Sequence, residues 1–97
     1  MVHLQIQCEA TEDALELIRS AIGAEVKRLE LGLRATERHI RAFEERYQIT
    51  SAIFLRDFAA EDLKQGDREY VAWAGELKLR DLIAAQLETL RNIQYAA

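Results

Sequence analysis

A chain of 97 residues has room for one domain, or for a subunit completed by a second copy, and not for two independent cores. A hydrophobic fraction of 49% excludes a disordered chain, and a single cysteine, Cys8, excludes a disulfide scaffold. Acidic residues outnumber basic ones by 17 to 13, for a formal net charge of −4, and there is no proline and only four glycines. This balance predicts a soluble all-α protein, because sequence rich in Ala, Leu, Glu and Arg lacks turn and strand punctuation. No apolar run reaches the roughly 18–20 residues of a membrane span, and no signal peptide precedes the polar helix. A cytoplasmic location is the expectation.

The first residues differ from the rest. Val2, Leu4, Ile6 and Cys8 alternate with His3, Gln5, Gln7 and Glu9, a period of two that predicts a short strand over residues 1–9. No other segment alternates in this way. A lone strand has unpaired backbone groups, so Val2, Leu4 and Ile6 are expected to pair with their own copy or with the sheet of another protein. The plainer alternative is a frayed terminus.

Thr11 is placed to cap a helix, with Glu12 and Asp13 in its positive first turn. No strong breaker follows, so the helix is predicted over 11–47, about 54 Å long. Ile22, Val26, Leu29, Leu33, Thr36, Ile40, Phe43 and Tyr47 recur at steps of four and three, a coiled-coil-like seam with Thr36 as its weak member. So long a seam requires a comparably long partner. Lys27, Glu30, Arg34, Glu37, Arg41 and Glu44 alternate in sign along one flank. Their interleaved glutamates cancel a basic field, so this ladder reads as a solvated face rather than a nucleic-acid stripe. The other flank carries Gly32, Ala35 and Ala42 with His39, small residues that let a second helix approach closely. The helix can therefore meet neighbours on two sides.

The first boundary falls at Tyr47-Gln48-Ile49-Thr50-Ser51. Thr50 is placed to cap a short helix predicted over 50–60, in which Phe54, Leu55 and Phe58 recur, with Ile49 and Phe54 set as a hydrophobic staple. Gly66 and Asp67 give a stop and a fresh start for a last helix over 67–94. Tyr70, Trp73, Ala74 and Leu77 form its first apolar patch. Leu79, Ile83, Gln86, Leu90 and Ile93 continue as a seam widened by Leu82 and Leu87. Two long helices and a short one fold most simply as an antiparallel hairpin, with Phe54, Phe58, Tyr70 and Trp73 as an aromatic plug at one end. Two helices make a ridge, not an enclosed core, so dimerisation into a helical bundle is expected. Its seam is expected to use Val26, Leu29, Leu33, Ile40, Leu79, Ile83 and Leu90.

Motifs that carry chemistry are missing. The sequence holds no glycine-rich phosphate loop, no paired cysteines, no His-Glu-x-x-His and no Gly-x-Ser-x-Gly. Thr36, three residues before His39, breaks the Glu-x-x-His signature of a di-iron bundle. His3 and Cys8 are five apart in a strand and point to opposite faces. His39 reads as a packed or half-exposed surface histidine and Cys8 as a small hydrophobe. Neither a catalytic activity nor a metal or other cofactor is expected. A helical structural or scaffold protein is one alternative, and a dimeric ribbon-helix-helix DNA regulator, reading bases through His3, Gln5 and Gln7, is another. That strand has no Lys or Arg, and Glu9, Glu12 and Asp13 follow it, so the cations that bind phosphate are absent where needed.

From Tyr47 onward an ordered set of landmarks appears: Tyr47-Gln48-Ile49-Thr50-Ser51, then Phe54-Leu55 and Phe58, then Leu63-Lys64-Gln65-Gly66-Asp67, then Trp73-Ala74-Gly75-Glu76 and Leu79. Over residues 40–95 the chain resembles small helical prokaryotic antitoxin-like proteins, frequent in cyanobacteria and archaea and encoded beside a small toxin. It departs from them in carrying Ala52-Ile53 where acidic residues are common. The resemblance implies a non-catalytic protein-binding module. An acidic homodimer would cover and neutralise a small basic toxin, with charge steering encounter and aromatic residues anchoring the contact. Phe54, Phe58, Tyr70 and Trp73 are the anchors expected there, although the same four would also serve as core.

Overall fold

The computed structural model describes residues 2–5, 11–57 and 68–95. Strand β1 is Val2–Leu4, helix α1 Thr11–Tyr47, α2 Ser51–Asp57, α3 Arg68–Arg91 and strand β2 Ile93–Tyr95. The dominant feature is a helical hairpin in which α1 packs along α3. Its extents of 57 × 21 × 20 Å are those of two helices side by side, since one helix with its side chains is about 10–12 Å across.

Helix α1 runs 37 residues without interruption. Gly23 lies inside it, and a Cβ built there would meet nothing within 4 Å. The helix ends where Gln48 takes a left-handed backbone, φ 56°, while its side-chain Nε2 donates to the Glu45 carbonyl at 2.6 Å. The chain then restarts at once. The Ile53 amide donates to Thr50 Oγ1 at 3.2 Å, and the Phe54 amide to the Thr50 carbonyl at 2.9 Å. Thr50 is thus the N-cap of α2, satisfying a donor that has no partner within the helix. Ile49 packs against the cluster that contains Phe54, completing the staple across the cap.

Pairs across the hairpin fix its direction. Arg46 meets Glu69, Phe43 stacks on Trp73, His39 meets Glu76, Gly32 faces Ile83 and Glu30 meets Arg91. Numbers fall on α1 as they rise on α3, so the helices are antiparallel. Because α3 ends opposite the middle of α1, the first turns of α1 extend beyond it.

Two buried clusters hold the pair together. Near the closed end, Ile40, Phe54, Trp73 and Leu77 are covered by Phe43, Tyr47, Ile49, Tyr70 and Ala74. Farther along, Leu29, Ile83 and Leu87 are covered by Val26, Leu33 and Leu90. Thr36 is buried between them on α1.

The phase of α3 differs from the expected seam. Leu79, Leu82 and Gln86 face outward, and the buried row is Trp73, Leu77, Ile83 and Leu87. Trp73 sets this phase, because its large ring fills the end cluster and fixes which side of α3 meets α1. Leu77 follows one turn later on the same side.

At the termini, β1 and β2 run parallel, with Val2 opposite Ile93, His3 opposite Gln94 and Leu4 opposite Tyr95. Among the described residues the N-terminal strand is Val2–Leu4, and the last helix, expected to reach residue 94, ends at Arg91 with Ile93 in β2. Ile6, Cys8, Phe58, Gly66 and Asp67 lie outside the described residues.

Candidate functional site

The closed end of the hairpin is its most specifically built region. The Trp73 indole is sandwiched by rings: Phe54 stacks on it at a centroid distance of 4.0 Å and 4° between planes, Phe43 at 5.6 Å and Tyr47 at 5.9 Å. Tyr70 meets Phe54 edge-on at 5.6 Å and Tyr47 at 5.3 Å. A buried indole N–H needs an acceptor, and Trp73 Nε1 donates to Ser51 Oγ at 3.0 Å. The Ser51 amide in turn donates to Glu44 Oε2 at 2.8 Å, so a carboxylate of α1 completes the cap of α2. The sequence reading missed this. Glu44 looked like one rung of a charge ladder, and nothing local marks it as a cap seven residues away.

This arrangement places three of the four expected anchors. Phe54 and Trp73 are 0% exposed, so they act as the plug's core, and Tyr70 is half-buried. Phe58 lies outside the described residues. The large apolar groups that α2 shows to solvent are instead Ile53 and Leu55, the latter 53% exposed. Val71, on the first turn of α3, is exposed as well. Large apolar side chains therefore stand on a seven-residue helix pinned through Phe54, Ser51 and Thr50.

Beside the plug lies an open groove of about 440 Å³, lined by His39, Ala42, Phe43, Arg46, Ala72 and Glu76. His39 Nδ1 stands 3.3 Å from Glu76 Oε1, and the other Glu76 oxygen is buried without a hydrogen-bond partner among the described residues. Arg46 is turned toward Glu69. No group of three or more metal-binding side chains occurs among the described residues.

Most of the expected dimer seam is used within the chain. Val26, Leu29, Leu33, Ile40, Ile83 and Leu90 lie between α1 and α3, and Leu79 faces outward. The backbone of Val2 and Leu4 lies along Ile93–Tyr95 of the same chain. None of the helices described is long and apolar enough to cross a membrane. The chain matches no protein-family model, no curated protein and no solved structure with which it was compared.

Proposed function

We propose that this protein is a non-catalytic protein-binding module, antitoxin-like, which as a homodimer binds and neutralises a small basic toxin. The observation that carries the reading is the end of the hairpin, where Ile53 and Leu55 are held out to solvent by a helix anchored on a buried aromatic stack. Apolar groups on a pre-organised support lose little conformational freedom when a partner covers them. The net charge of −4 favours encounter with a basic partner. In this reading the other edge of strand β1, which pairs on one side with β2, adds to a sheet edge of the partner or pairs with its own copy. The ribbon-helix-helix alternative requires a fresh cap between two short helices, and α1 offers one unbroken helix of 37 residues.

Co-purification with the product of the neighbouring gene tests the proposal. A stable one-to-one or two-to-two complex is expected, weakened by Leu55→Asp without loss of helical signal. Ribonuclease activity from the purified chain alone would overturn it, and salt-sensitive binding to its own upstream DNA without a protein partner would favour the regulator.

A further inference from the structure

Each helix of the hairpin carries a second apolar row besides the one that joins them. On α3, Ala72, Gly75, Leu79, Leu82 and Gln86 recur at steps of three and four, and all five are exposed and uncharged. On α1, Leu17, Ala24 and Leu31 are exposed at heptad spacing, and Ala35 and Ala42 form a parallel file seven apart. From the 3.6-residue turn, the α3 row lies about 110° and the α1 row about 145° around its helix from the buried seam. The two rows share one side of the hairpin, because Ala42 of α1 and Ala72 of α3 line the same groove. The charged ladder from Lys27 to Glu44 occupies the opposite flank of α1.

We infer that a second copy of this chain packs on that side, its own second rows against these, to give a four-helix bundle. This deepens the proposed function by placing its dimer contact, and it rests on that reading only for the expectation of a dimer. Rows at steps of three and four are the pattern that another helix of similar length fills, and a second hairpin brings two. The side is also self-complementary in shape. Leu31, Leu79 and Leu82 project, 61%, 42% and 55% exposed, while Ala35, Ala42, Ala72 and Gly75 leave hollows, so a two-fold axis can seat leucines of one copy over small residues of the other.

The area agrees. The chain exposes 7326 Å², whereas a compact monomer of 11.1 kDa would expose about 5,700 Å². That excess, on the order of 1,600 Å², exceeds the roughly 800 Å² each partner contributes to a standard interface.

Sedimentation equilibrium of the purified chain at micromolar concentration tests this. The expected mass is twice the 11.1 kDa of one chain. Leu79→Arg with Leu82→Arg, and independently Leu31→Arg, should return it to one chain with helical signal retained, because all three side chains are already exposed. Arg34→Glu on the ladder side should leave the dimer intact. A monomeric wild type overturns the inference, and if that monomer still binds the neighbouring gene's product, the partner-binding reading survives alone. A dimer that persists in both leucine-to-arginine variants also overturns it, since some other face then joins the copies. A dimer lost in both variants supports the inference, even if no toxin-like protein binds.

Discussion

Trp73 and Ser51 are joined by a buried hydrogen bond, 3.0 Å from the indole Nε1 to the serine Oγ, that ties the first residue of α2 to the second turn of α3. The same serine gives its backbone amide to Glu44 of α1. One residue thus links all three helices, and each bond satisfies a group that would otherwise be buried or left over at a helix start.

Ser51→Ala should therefore leave the indole N–H without an acceptor and cost about 1–3 kcal/mol, read by urea unfolding. Adding Trp73→Phe removes the stranded donor, so the double variant should cost less than the sum of the two single ones. Strict additivity would show that this bond contributes nothing.

The capping residue is separable from the plug. Thr50→Ala should destabilise by about 1 kcal/mol, and Thr50→Ser should be close to neutral, because the hydroxyl that accepts from Ile53 remains. Equal losses in both variants would mean that the threonine methyl, not its oxygen, matters.

Burial divides the aliphatic side chains of the long helices sharply. Leu29→Ala and Leu87→Ala should each cost about 2–5 kcal/mol, since these side chains are 6% and 2% exposed. Val71, 51% exposed on α3 and outside the second apolar row, should tolerate alanine to within about 0.5 kcal/mol. Thermal unfolding of the three variants ranks them.

Gly23 has open space around it and sits in the interior of a helix. Gly23→Ala should stabilise the protein by about 0.5–1 kcal/mol, since alanine loses less backbone freedom on folding. A destabilised variant would indicate that a neighbour needs the gap.

The Arg28 guanidinium donates to both oxygens of Glu25, at 2.7 and 2.6 Å. That hydrogen bonding holds the Glu25 carboxyl below its ordinary range and raises Arg28 above its own. A carboxyl lowered in the folded state stabilises it above the unfolded pKa, and that support fades as pH falls through the lowered value. Both side chains face solvent, so the effect on stability is small and screened by salt. In an NMR titration Glu25 should have a lower midpoint in the wild type than in Arg28→Ala, and the gap should narrow in high salt.

Local chemistry was legible wherever one residue acts on its immediate neighbours. Thr50 reads as a cap because a hydroxyl there reaches an amide three residues on, and Ile49 with Phe54 reads as a staple for the same reason of reach. The row from Val26 to Tyr47 reads as buried because side chains three and four apart share a helix face. The phase of α3 was not legible in this way. Leu77, Leu79, Leu82, Ile83 and Leu87 supply apolar residues nearly all round, so periodicity offers two competing faces, and the ring of Trp73 selects one.

By itself, then, the sequence determined the helical hairpin, the place where α2 starts and the charged flank of α1, because these follow from spacings of a few residues along one chain. The tertiary structure alone decided that Phe54 and Trp73 are interior, that Glu44 caps a helix other than its own, and that Leu79 and Leu82 remain uncovered. Those outcomes depend on which faces meet across the hairpin, and that choice is made by large rings and buried donors whose partners lie more than twenty residues away or on another helix.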